Sequence, residues 1–172
     1  MREESWVLTE GTEAEEDGGG LNGLAGAIIG AAIEVHRQLG PGMLESAHEA
    51  CLEYELTARG HSVERQKALP VTYKGSSLDC VFRLDMVVDG KVLVEIKSVE
   101  HLLPVHRSQT LSYLRLSGLP LALLINFYGP TLREGVRRFR ALPSTSASCP
   151  LCPLRETANQ KGDDHVQHQG TV

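Results

Sequence analysis

Asp85, Glu95 and Lys97 have the types and spacing for metal-assisted hydrolysis, the last two within the triplet Glu95-Ile96-Lys97. All three interrupt stretches otherwise rich in Val, Leu, Ile and Met. Alternation along a strand sets Glu95 and Lys97 on one face. Two carboxylates with the backbone carbonyl of Ile96 would make an oxygen-rich cradle for Mg²⁺, which keeps several of its waters when protein-bound. A lysine beside them can orient or deprotonate one of those waters and neutralise charge on a phosphodiester. The same residues also suit a cross-strand salt bridge on a wet sheet face, and the triplet alone does not separate the two readings.

The elements around these residues read as α-α-β-β-β-α-β. A first helix is expected from about Leu24 to Leu39, with Ile28, Ile29, Ala32, Ile33 and His36 at helical spacing. It breaks at Gly40-Pro41-Gly42, and a second runs from about Leu44 to Arg59, stopped by Gly60. Strand-like stretches are 62–73 (interrupted near Pro70), 78–88 and 91–97, separated by turns at Lys74-Gly75 and Asp89-Gly90. Pro104 suits the first turn of a third helix that Gly118 ends. The apolar run Leu121–Phe127 reads as a strand covered on both faces, and Gly129-Pro130 turns the chain into a basic end. The expectation is an α/β sandwich around a central mixed sheet flanked by helices.

The hairpin between the second and third strands decides whether Asp85 can join Glu95. A two-residue Asp89-Gly90 loop would pair Val88 with Lys91 and set Asp85 opposite Val94, away from Glu95's face. A three-residue loop, Val88-Asp89-Gly90 with Gly90 left-handed, pairs Val87 with Lys91 and returns Asp85 to that face. A shared site therefore requires the bulged loop or a local bend at Asp85. On the third helix Gln109 and Tyr113 are four apart and share a face; the second helix offers Glu45, His48 and Glu49.

In combination these residues resemble the GxxExxY proteins of the PD-(D/E)XK nuclease superfamily. The signature is similar to Gly42-Met43-Leu44-Glu45-Ser46-Ala47-His48, with His48 where the family has tyrosine. The likeness continues through Val35-His36, Glu64-Arg65-Gln66, Arg83-Leu84-Asp85, Glu95-Ile96-Lys97, Pro104-Val105-His106, Gln109-x-x-x-Tyr113 and Leu123–Phe127, covering about residues 24–140. It implies a restriction-endonuclease-like fold and a nuclease that hydrolyses phosphodiester bonds, with DNA preferred to RNA as substrate. It further implies that Asp85 and Glu95, with the Ile96 carbonyl, bind Mg²⁺ or Mn²⁺, and that Glu45 completes the metal site. Lys97 would position the attacking water, and Gln109, Tyr113 and Arg83 would hold the substrate. The alternative is a catalytically silent module of the same fold that binds nucleic acid or a protein.

Composition agrees with a nucleic-acid partner once charge is located. The 172 residues carry a net charge of −5, yet residues 1–20 hold seven acids against one base. Residues 143–172 hold three acids and two bases, so the segment 21–142, with 14 bases and 12 acids, is mildly basic. The chain is accordingly read as an acidic disordered leader (1–20), one domain (21–142) and a loose tail (143–172). The acidic N-terminus does not suit a signal peptide, and the apolar stretch 24–33 is too short to span a bilayer. A cytoplasmic protein without disulfides, free to form a homo-oligomer, is expected. In the tail, Cys149-x-x-Cys152 and His165-x-x-His168 approach a zinc pattern, though the histidine spacing is one residue short. Arg133, Arg137, Arg138 and Arg140 offer a phosphate-contact patch or simply a solvated edge.

Overall fold

The computed structural model describes residues 19–141. The acidic leader and the Cys149, Cys152, His165 and His168 tetrad therefore lie outside the described residues. Nine elements follow in the order α1 (Gly19–Leu39), α2 (Glu45–Ala58), β1 (Val63–Tyr73), β2 (Ser76–Val88), β3 (Val92–Lys97), α3 (Pro104–Ser117), β4 (Leu121–Asn126), α4 (Leu132–Gly135) and β5 (Val136–Arg140). The strands form one sheet in the order β1-β2-β3-β4-β5, in which only β3 and β4 run parallel. The expected mixed sheet flanked by helices is observed.

Each face of the sheet carries its own core. On one side Met86, Val88, Val94, Ile96, Leu123 and Ile125 pack against Ile28, Ala32 and Val35 of α1 and Leu52 and Leu56 of α2. On the other, Leu84, Val87, Leu93, Ala122, Leu124 and Phe139 pack against Tyr113 and Leu114 of α3. β3 and β4 are covered on both faces, which is why they read as nearly continuous apolar runs. Breaks in the chain fall at glycines with left-handed backbones. Gly40 (φ 72°) ends α1, donating its N–H to the His36 carbonyl at 2.8 Å, and Gly118 (φ 66°) closes α3.

Three differences from the sequence-based expectation bear on the site. First, α1 starts at Gly19, inside the segment read as leader. Second, the hairpin loop is Asp89-Gly90-Lys91 and Val88 pairs with Val92, one residue further along than expected on each strand. Asp89 sets this register. Its N–H donates to the Ser62 carbonyl at 2.8 Å, and its carboxylate accepts the Ser62 N–H and bonds His61 Nδ1, each at 2.8 Å. Asp89 (φ 50°) and Gly90 (φ 63°) both turn left-handed to close the loop. Third, the basic end, for which no element is expected, holds α4 and β5. In β5, Val136 packs toward α1 while Phe139 packs toward α3. Alternation therefore sends Arg138 and Arg140 to one face and Arg137 to the other, so the arginines form no single patch.

Candidate active site

The β2–β3 ladder contains only three pairs, Val88 with Val92, Val87 with Leu93 and Met86 with Val94. Beyond Met86 the two strands fork. The N–H of Ile96, which an ordinary ladder would satisfy from β2's backbone, instead donates to Asp85 Oδ2 at 2.9 Å. Asp85 thus spans the fork with its side chain. A residue's N–H and C=O point to the same edge of a strand, so the Ile96 carbonyl also faces the fork.

Glu95 lies on the α3-side face with Leu93 and is 1% exposed. One oxygen, Oε1, accepts Lys97 Nζ at 2.7 Å; the other, Oε2, is buried without a partner. Burial and then the charge of Asp85 push the Glu95 carboxyl up to about 7. Burial likewise raises Asp85, against the opposing pull of the Ile96 N–H and Lys97. For Lys97 burial works to lower the ammonium's pKa, but the hydrogen bond and charge of Glu95, with Asp85 and Glu45, outweigh it and raise it. The site is therefore short of positive charge: three carboxylates act on one lysine, and one carboxylate oxygen is left unsatisfied.

Glu45 joins from the first turn of α2. Its Oε1 accepts the N–H of Ser98 at 2.9 Å, and Ser98 Oγ donates to the Met43 carbonyl at 2.9 Å, tying the start of α2 to the residue after Lys97. The strand end is braced further by Asn126, whose Oδ1 accepts the Val99 N–H at 3.0 Å and whose Nδ2 donates to the Val99 carbonyl at 2.7 Å. Ser98 lies in no motif, whereas Asn126 falls within the Leu123–Phe127 likeness. Asn126 is also the one polar residue in the run Leu121–Phe127, and that was a legible signal.

Gln109 Nε2 donates to Tyr113 Oη at 2.9 Å, on the α3 face that Glu95 and Lys97 share. Arg83 is not brought to them. Its neighbours Phe82, with its ring 5.4 Å from Tyr113, and Leu84 both face α3, so alternation points exposed Arg83 to the opposite side. His48 is fully buried and stacked on Phe127 with ring centroids 4.3 Å apart. His36 bonds the Gly129 carbonyl at 2.8 Å, and His106 Nδ1 accepts the Leu103 N–H at 3.2 Å at the start of α3. These histidines brace helix ends and loops.

A divalent cation fits this donor set. The Asp85 and Glu95 carboxylates and the inward Ile96 carbonyl are hard oxygen donors, and Glu95 Oε2 is buried without a partner. Among the described residues no three His, Cys, Asp or Glu converge to hold an ion alone.

The open mixed sheet, with its second and third strands forking over an acid and an acid-x-lysine on the third, fits a nuclease-type architecture. The comparison with protein families agrees: the family model of the PD-(D/E)XK nuclease superfamily matches residues 22–139, and the chain belongs to that superfamily. The fold is accordingly the restriction-endonuclease-like α/β fold. No curated protein and no solved structure matches the chain significantly.

Proposed function

We propose that this protein is a divalent-metal-dependent nuclease that hydrolyses phosphodiester bonds in DNA, and that within its superfamily it belongs with the GxxExxY proteins. The observation that carries the reading is the buried Glu95 carboxylate with one free oxygen, beside Asp85 and within reach of Lys97. Such a group is costly unless something positive arrives to use it. The subfamily assignment rests on Gly42 and Glu45 and on the later motifs; His48 departs from the signature's tyrosine, and its ring stacks on Phe127.

In this reading Asp85, Glu95 and the Ile96 carbonyl would hold Mg²⁺ or Mn²⁺, with Glu45 contributing from α2. Such an ion would supply charge compensation at the phosphodiester and lower the pKa of the attacking water. Lys97 holds that water through its Nζ, which Glu95 Oε1 already aims at 2.7 Å. Gln109 and Tyr113 fix the substrate strand from α3.

The test is cleavage of linear, circular and single-stranded DNA, and of RNA, with Mg²⁺ or Mn²⁺. Lys97→Ala and Glu95→Gln are expected to lower the rate by about 10²-fold or more while the circular dichroism spectrum stays native. A variant with full activity removes the role assigned to that residue. The second reading, a silent binding module, is favoured by the lack of three convergent acids among the described residues. Wild-type protein that neither cleaves nor binds Mn²⁺ would establish it.

A further inference from the structure

Among the described residues, three non-glycine residues have left-handed backbones. Lys74 and Asp89 sit in hairpin turns, but Gln66 (φ 48°) lies inside β1. A long side chain in that conformation within a strand is unfavourable and persists only where its surroundings enforce it. The enforcing group is Glu49 of α2, a carboxylate only 6% exposed. Gln66 Nε2 donates to both of its oxygens at 3.0 Å, and Arg65 Nε donates to Oε1 at 3.0 Å. Arg65 is anchored in turn by Glu53, which its Nη1 meets at 2.9 Å. Successive side chains of a strand point to opposite faces. For Arg65 and Gln66 to grip one carboxylate, the backbone between them must break that alternation, and the left-handed Gln66 is the break.

The consequence falls on the strand beside it. Arg65 pairs with Met86 and Lys67 with Leu84, so Gln66 stands opposite Asp85, and that one pair is missing from the ladder. β2 loses its alternation at the same point: Leu84 enters the α3-side core and Met86 the α1/α2-side core, although they are two residues apart. Asp85 is the residue between them, and its carboxylate enters the fork to take the Ile96 N–H. We infer that Gln66, clamped by Glu49, is a positioning residue: its left-handed kink bends β2 so that the Asp85 carboxylate reaches the metal site. The inference rests on the metal-nuclease reading for what Asp85 does there, but not for how Asp85 is placed.

The experiment compares Gln66→Gly, Gln66→Ala, Gln66→Val and Glu49→Gln in the full chain. Two readouts are used: hydrogen exchange of the Ile96 amide in EDTA, and Mn²⁺ affinity by titration. Glycine adopts the left-handed backbone freely, alanine less so and valine least. Ile96 protection and Mn²⁺ affinity should therefore fall in the order Gln, Gly, Ala, Val, with about 10- to 100-fold loss of affinity at the end of the series. Glu49→Gln should move both readouts the same way. If Gln66→Val does not fold, the Gly and Ala variants decide: alanine protecting Ile96 as well as or better than glycine overturns the proposal. A folded Gln66→Val with wild-type Ile96 exchange also overturns it, even if Asp85→Ala abolishes Mn²⁺ binding and so upholds the metal site. Conversely, the expected exchange order in a protein that binds no Mn²⁺ upholds the positioning role and overturns the metal reading.

Discussion

Glu95 has one oxygen on Lys97 and, among the described residues, nothing on the other. Its carboxyl is raised from the ordinary 4.5 to about 7, first by burial and then by Asp85. The folded state therefore holds a proton that the unfolded chain has already released over this range. Without metal, this contribution to stability is fully present below about pH 4.5 and is lost as pH rises to about 7, on the order of 3 kcal/mol at most. In EDTA the wild-type melting temperature should fall across that window relative to Glu95→Gln, which has no proton to lose. Mg²⁺ should restore the wild type at pH 8 and do little at pH 5, since a cation competes with the proton for the same oxygens. Parallel wild-type and Glu95→Gln curves in EDTA would show that Glu95 ionises freely. At this scale the sequence was informative where a charge broke an apolar pattern, as Glu95 and Lys97 do. Gln66 fell within the family likeness, but its left-handed backbone was not legible, because it depends on a carboxylate from another element that no local propensity encodes.

Seven of the elements follow from periodicity and turn residues, because their apolar positions face one core or two. α4 and β5 were not legible. In Val136-Arg137-Arg138-Phe139-Arg140 the two apolar residues are three apart, so the alternation that marks a strand is absent. Pairing with β4 and the packing of Val136 and Phe139 organise this edge, and its half-buried Arg138 donates to Asn22 of α1. The placement of α2, which carries Glu45 and Glu49, depends on His48. Its ring stacks on Phe127 at the end of β4, with Nδ1 buried and unpartnered. Burial, ahead of the neighbouring charge of His36, lowers the His48 pKa. A lowered imidazole contributes stability above the ordinary 6.5 that is lost as pH falls through the folded value. His48→Phe keeps the stack and cannot protonate, so its melting temperature should drop less than the wild type's between pH 7 and 5. An equal drop in both would assign the acid sensitivity to other groups. His48→Ala removes the stack itself and should cost about 3 kcal/mol at neutral pH, read from urea denaturation.

Charge is distributed across the whole molecule so that the acidic total conceals a mildly basic domain. Residues 1–18 contain seven acids and one base, and the rest of the chain carries a net charge of +1. The β5 arginines divide between the two faces of the sheet, so they contribute to the general field and form no contact patch. For an approaching polyanion, the N-terminal acids are therefore the largest block of repulsive charge in the chain. Removing residues 1–18 should raise DNA affinity several-fold at about 0.01 M salt, where the Debye length is about 30 Å. The gain should shrink as salt rises and vanish near 1 M, where charges only about 3 Å apart still sense one another. Fluorescence anisotropy with duplex and single-stranded DNA in EDTA reads this directly, because no cleavage competes with binding. Equal affinity of the full and shortened chains at the lowest salt would place the N-terminal acids beyond the reach of the site, leaving the domain's own field to govern association.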